Sequence, residues 1–223
     1  MSGGGPKYEP LEGRPAPEAL LLDSRKERIA EVLGQRTRNV TVVLDRLEDT
    51  FNMAAVLRTC EGMGLQDVHI INNPEARFAP NAAVTQGCDK WLDLHVYEDF
   101  ASCAQVLKRR GYRVLASAIA PGATSLFELT FEARVAIVLG NERFGVSEEV
   151  LRHADGTFWI PMRGFSQSFN ISAAASACVT QAIAWRLKHL GPAGDLSEPE
   201  KAELTSRFSF LSVNQRGRLY GRR

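Results

Sequence analysis

Asn52 and Arg58, six residues apart in "NMAAVLR", pair an amide with a permanent cation. On a helix, at about 100° per residue, they lie roughly 120° apart around the axis, so they do not stack on one face. Taken alone they are a helix cap and a surface arginine. Taken as chemistry, a planar guanidinium suits a phosphate. A second candidate is Glu142 in "LGNERFGVSEE", a carboxylate in the loop after Gly140, where main chain can turn beneath a ligand. Alone, it is a solvated acid. The third is residues 160–179, "IPMRGFSQSFNISAAASACV". Its first half is a polar loop carrying Ser168 and Asn170, and its second half is a helix nearly stripped of bulk. Such a helix either packs tightly in the ordinary way or bares its backbone for close approach.

The elements that must position these groups alternate along the chain. "VTVVLD" (Val40–Asp45) is a β-branched run that fits a buried strand, and Asn52–Gly64 fits a helix. Further strands are expected at Asp67–Asn72, Trp91–Tyr97, "YRVLASAI", Arg134–Asn141 and "GTFWIPM". Helices are expected in "DFASCAQVLKRRG", closed by Gly111, and in Ser147–Ala154, capped by Ser147 with acids in its first turn. Alternation of this kind predicts an α/β fold with a mostly parallel sheet flanked by helices. The loop into Asn52, the turn after Gly140 and the loop after Ile160 then fall at carboxyl ends of strands, where such sheets carry function.

An earlier helix, "DSRKERIAEVLGQR", has Asp23 or Ser24 as its cap and Gly34 as its stop. Residues 1–22 read as a flexible N-terminal segment, 23–190 as one domain including this helix, and 191–223 as a helical extension with a basic tail. In the extension, Ser197 caps "LSEPEKAELTSRFSFL", with Pro199 in its first turn. Arg216, Arg218, Arg222 and Arg223 with Tyr220 fit phosphate contact and base stacking, or a solvated tail.

The totals narrow the classes. A net charge of +1 provides no global field for nucleic acid, so any basic patch is local. The four cysteines form no CxxC and have no histidine at ligand spacing, so no metal site is expected. Neither a secretory leader nor an uninterrupted apolar stretch of about 18 residues is present, which predicts a cytoplasmic, reduced protein without membrane partners. A nicotinamide enzyme is disfavoured, since no GxGxxG follows the first strand. His69, His95, His153 and His189 lie outside the three segments and read as structural.

In order and spacing, "NMAAVLR", "VLGNERFGVSEEVL" and "IPMRGFSQSFNISAAA" resemble the three motifs of the SpoU/TrmH family of SPOUT RNA 2′-O-ribose methyltransferases. The resemblance spans roughly Arg25 to Leu190. It implies a SPOUT-type fold with a C-terminal deep trefoil knot, S-adenosyl-L-methionine as cofactor and no metal. It also implies a homodimer whose knot helices pack together. By the same resemblance Ser117, Gly140, Ile160, Met162 and Phe169 meet the cofactor, Gly164 allows a turn, and Asn52, Arg58, Glu142, Ser168 and Asn170 form the catalytic set. Arg58 would grip the phosphate beside the target nucleotide; general-base action stays open, although a guanidinium with an ordinary pKa above about 12 favours positioning. Phe144 takes the place of a second bulky aromatic. Ser117, read without the family, is a strand-end serine. Short extensions at both ends resemble those of family members that methylate tRNA. The expected reaction is 2′-O-methylation of tRNA, at guanosine 18 of the D-loop. The alternatives are an rRNA 2′-O-ribose methyltransferase and a non-catalytic RNA-binding or assembly factor.

Overall fold

The computed structural model describes residues 15–73, 87–141 and 143–213; Glu142 and the tail arginines lie outside the described residues. The described chain forms two compact units, residues 37–193 and residues 15–36 with 194–213.

The larger unit holds a seven-stranded sheet in the order β3-β2-β1-β6-β4-β7-β5, parallel at every pairing. The strands are β1 (Val40–Asp45), β2 (Asp67–Ile71), β3 (Asp93–Tyr97), β4 (Arg113–Ser117), β5 (Thr124–Ser125), β6 (Val135–Leu139) and β7 (Gly156–Trp159). Its helices are α2 (Thr50–Gly62), α3 (Phe100–Arg109), α4 (Glu148–His153) and α5 (Ile171–Leu190). A parallel sheet covered on both faces needs strands that are apolar on both sides. The central pair obeys: every residue of β1 and β6 is buried. Val40, Val42 and Leu44 join a core cluster with Met53, Leu57, Ala175 and Val179, under α2 and α5. Val43, Ala136 and Val138 face the other way, onto Phe100, Cys103, Leu107 and Val150 of α3 and α4.

Helix starts follow local chemistry. The Asp99 carboxylate caps α3 by accepting from the Ser102 amide, and the Ser147 hydroxyl caps α4 by accepting from that of Val150. The start of α2 differs from expectation. Asp49 is the cap, accepting from the Phe51 amide at 2.7 Å, and Asn52 lies inside the first turn, where its side chain is released for another partner. β5 has only two residues, too few to show a period in the sequence.

At the amino ends of β1, β2 and β3 the charges interlock. Arg38 donates to Asp67 and to Asp93, each at 2.6 Å, and the other Asp67 oxygen lies 2.6 Å from His95 Nε2. The Tyr112 hydroxyl donates to the Arg38 carbonyl. His69 is fully buried, stacked on His95 at 4.7 Å, with Nδ1 3.1 Å from the Tyr97 hydroxyl. Burial alone would raise the Asp67 pKa, but the His95 hydrogen bond and Arg38 outweigh it and hold the carboxyl at about 2. Burial, with His95 beside it, drives His69 down to about 3.

The smaller unit pairs α1 (Asp23–Gln35) with α6 (Glu198–Val213). α1 begins at Asp23 without a side-chain cap and runs one residue past Gly34. Ser197 uses both its amide and its hydroxyl to donate to the Glu200 carboxylate, at 2.8 and 2.6 Å. The Arg36 guanidinium, 1% exposed, lies over the Phe208 ring. The structure thus groups α1 with α6, whereas the sequence placed it with the alternating elements.

Among the described residues no helix is long and apolar enough to cross a membrane, and no cluster of three or more His, Cys, Asp or Glu side chains could hold a metal. Cys60, Cys103 and Cys178 are free and buried, and burial pushes each thiol up to about 12.

Candidate active site

A cavity of about 470 Å³ opens at the carboxyl ends of β4, β6 and β7. Three separate loops build it: residues 117–119 leaving β4, residues 139–141 and 144–146 around the end of β6, and residues 158–169 leaving β7, with Ile171 and Ala174 of α5 closing one side. Ser117, Gly140, Ile160, Met162 and Phe169 all line it, and so does Ser168.

Gly140 shows why this wall needs a residue without a side chain. A Cβ there would stand 2.1 Å from the Gly145 carbonyl carbon and 2.2 Å from the Val146 nitrogen, both main chain that cannot swing aside. The chain doubles back on itself here. Asn141 and Gly145 exchange main-chain hydrogen bonds at 2.9 and 2.8 Å, and the Asn141 side-chain oxygen accepts from the Arg143 amide at 2.8 Å. Gly145 has φ 71°, a left-handed conformation that glycine adopts without steric cost. Below the turn, the Asp45 carboxylate accepts from the Ser147 amide at 2.7 Å and ties the exit of the loop to the end of β1.

Asn52 and Asn170, 118 positions apart, meet directly. Asn170 caps α5, its side-chain oxygen accepting from the Ser172 amide and hydroxyl at 2.9 and 2.6 Å, while its amide group donates to the Asn52 oxygen at 3.0 Å. One asparagine therefore starts α5 and fastens it to the first turn of α2. Farther along, the Thr59 and Ser176 hydroxyls lie 3.1 Å apart. The small side chains of α5 serve this approach: Ala175, Cys178 and Ala182 are fully buried. Arg58 is exposed on α2 and, like Asn52 and Asn170, does not line the cavity.

Sequence reasoning missed three features. Ala118 and Ile119 line the cavity in the segment after Ser117. Asn141 organises the turn, and its only sequence signal was its place after Gly140. Glu149, taken from the sequence as a dipole-favouring acid, also accepts from the first amides of α3, Phe100 and Ala101, at 3.2 and 3.3 Å.

A tRNA (guanosine(18)-2′-O)-methyltransferase of Thermus thermophilus is 37% identical to this chain over 166 residues, covering 74% of this chain and 85% of that protein. The A. aeolicus TrmH/SpoU tRNA modifying enzyme matches the structure with a TM-score of 0.78 at 27% identity, covering 86% of this chain and 98% of that one. The SpoU methyltransferase AviRb from Streptomyces viridochromogenes, solved in complex with AdoMet, shares the fold at a TM-score of 0.59 and 21% identity, over 71% of this chain and 64% of that one. Every segment that walls the cavity lies within residues 39–180, which match the model described as the SpoU rRNA Methylase family, and by that match over more than half of its length the chain belongs to this family.

Proposed function

We propose that this protein transfers a methyl group from S-adenosyl-L-methionine to the ribose 2′-hydroxyl of a tRNA nucleotide, with guanosine 18 of the D-loop as the target. The observation that carries the reading is the convergence of three distant loops on one cavity, with a glycine at position 140 that no side chain could replace. Its volume of about 470 Å³ lies within the roughly 300–1,000 Å³ of small-molecule sites. Its residues fit the donor. Main chain at Gly140 comes close because no Cβ intervenes, Ile160, Met162 and Phe169 offer apolar surface, and Ser117 and Ser168 add polar atoms. The tRNA substrate is supported by the names of the relatives from Thermus thermophilus and A. aeolicus.

The bound donor supplies an electrophilic methyl on a sulfonium. The chain's own residues do the rest. The Asn52–Asn170 contact holds the starts of α2 and α5 together, so the loop carrying Ser168 and Phe169 keeps a fixed relation to the helix that bears Arg58. Arg58 binds the phosphate beside the reacting ribose and supports the negative charge that develops on its 2′-oxygen. A guanidinium stays protonated at working pH, so it acts by position and charge. Glu142 completes the set by orienting substrate. Two copies assemble through α5, and the protein acts in the cytoplasm.

Labelled donor incubated with tRNA transcripts tests the reading. Label should enter tRNA carrying guanosine 18 and fail to enter a transcript with 2′-deoxyguanosine there. Label in rRNA fragments alone would favour the rRNA alternative, and none in any RNA despite donor binding would favour an assembly factor. A monomeric mass by light scattering at micromolar concentration would refute the dimer.

A further inference from the structure

We infer that Arg46 is a positioning residue for the proposed methyl transfer: its left-handed backbone aims its carbonyl at Asn141, and through Asn141 it holds the turn that walls the cavity. The inference rests on the methyl-transfer reading and concerns a residue outside all three motifs.

Arg46 is, among the described residues, the only non-glycine residue with positive φ, at 54°. An L side chain is disfavoured there, and such a conformation persists when the surroundings over-determine it. They do. The Arg46 amide donates to the Ile71 carbonyl at 3.2 Å, tying the end of β1 to the end of β2. Its own carbonyl then accepts from two asparagine side chains, Asn141 at 3.1 Å and Asn73 at 3.4 Å. Three adjacent strands, β2, β1 and β6, thus converge at their carboxyl ends on one carbonyl oxygen.

The Asn141 side chain is committed on both sides. Its oxygen accepts from the Arg143 amide inside the turn, and its amide group donates outward to Arg46 and to Glu48 at 3.2 Å. Released from Arg46, it would keep only the exposed Glu48 carboxylate outside the turn, and the turn would lose the main-chain half of its outer anchor. Gly140, Asn141 and Gly145 all line the cavity, so its wall would loosen with it. A mere bend between β1 and α2 would need only the backbone of Arg46 to turn. It would not need amides from two other strands to meet at its carbonyl. The side chain adds a separate tie, Arg46 to Glu149 at 3.2 Å.

The two ties are separable. Arg46→Gly keeps the conformation and the carbonyl and deletes the guanidinium. Arg46→Val keeps a side chain that resists positive φ. Asn141→Ala removes the donor instead, and with it the oxygen that accepts from the Arg143 amide, so for this variant protection is read at Gly145, whose amide donates to the retained Asn141 carbonyl. Amide hydrogen exchange and methyl transfer across a range of tRNA concentrations at saturating donor are measured on all three in the full chain. Arg46→Val is expected to lose about tenfold protection at the Arg143 and Gly145 amides, and Asn141→Ala about tenfold at Gly145; both should lower kcat at least tenfold, with KM for tRNA within about threefold. Arg46→Gly should keep protection and kcat within about threefold of the parent. The inference is overturned if Arg46→Gly is as impaired as Arg46→Val, or if Asn141→Ala keeps both protection and kcat. Should Arg46→Val fail to fold, Asn141→Ala and Arg46→Gly still decide. If the parent methylates no RNA, the methyl-transfer reading falls, while the exchange arm still shows whether Arg46 holds the turn.

Discussion

The two ends of the sheet handle polarity in opposite ways. At the amino ends of β1 to β3, Arg38 meets Asp67 and Asp93, and His95 meets Asp67, each pair at 2.6 Å, and Asp67 is fully buried. At the carboxyl ends of β4, β6 and β7 three loops surround a cavity, with the exposed Phe144 in its lining. The charges of the first end are engaged with one another. Among the described residues no charged side chain lines the cavity at the second end, which is walled by glycine, hydroxyl, amide and apolar residues. A cluster of strongly perturbed titratable groups often marks a functional site. Here the strongest cluster belongs to the scaffold, and the cavity lies at the other end of the strands.

Substitutions at either end should therefore separate activity from stability. Arg58→Ala should break function alone. Methyl transfer is expected to fall roughly 10²–10³-fold, in line with loss of one charge-stabilising group, while calorimetry shows donor affinity and melting temperature little changed. Asp67→Ala should do the reverse. Removing one partner of a buried ion cluster costs about 3–5 kcal/mol, read as a lower urea midpoint, with kcat preserved below the transition. Gly140→Ala sharpens the contrast from inside the cavity. The added carbon must displace the Gly145–Val146 main chain, so donor affinity measured by calorimetry should drop about tenfold, and urea melts should show a loss of about 1–3 kcal/mol, the usual cost of overpacking.

Acid gives the most graded effect. His69 binds its proton less readily folded than unfolded, so the unfolded chain takes up more protons between pH 6.5 and about 3. Stability should hold above pH 6.5 and decline as pH falls through that window. Asp67, held at about 2, adds a loss that begins near its ordinary carboxylate range and is complete below pH 2. Urea melts across pH should show both steps, with His69→Gln flattening the upper one. An unchanged midpoint from pH 7 to 5 would contradict this account of the amino end.

Much of the fold was legible because its central strands are continuous apolar runs between polar breaks. Val40–Asp45 is placed to the residue. The start of α2 was misread because Glu48, Asp49 and Thr50 offer several polar candidates before Asn52, and only backbone geometry selects Asp49. α1 was grouped with the sheet by nearness in sequence, although it packs on α6 more than 160 positions later, a pairing that no periodicity announces. In the site, Ser117 and Phe169 carried no signal of their own and entered through resemblance to a family. Arg46 was invisible to both routes. Nothing in its type suggests a positive φ, and its partners Asn73 and Asn141 lie two residues beyond the ends of β2 and β6.

The sheet ends at β5 with only Thr124 and Ser125. A strand that short presents almost no ladder of open amides and carbonyls to a passing chain, and brief outer strands are one way proteins discourage fibre growth. The opposite border, β3, is five residues long, but Asp93 and His95 lie along it, engaged with Arg38 and Asp67. Neutralising those groups would turn that border into the side from which aggregates of this protein grow.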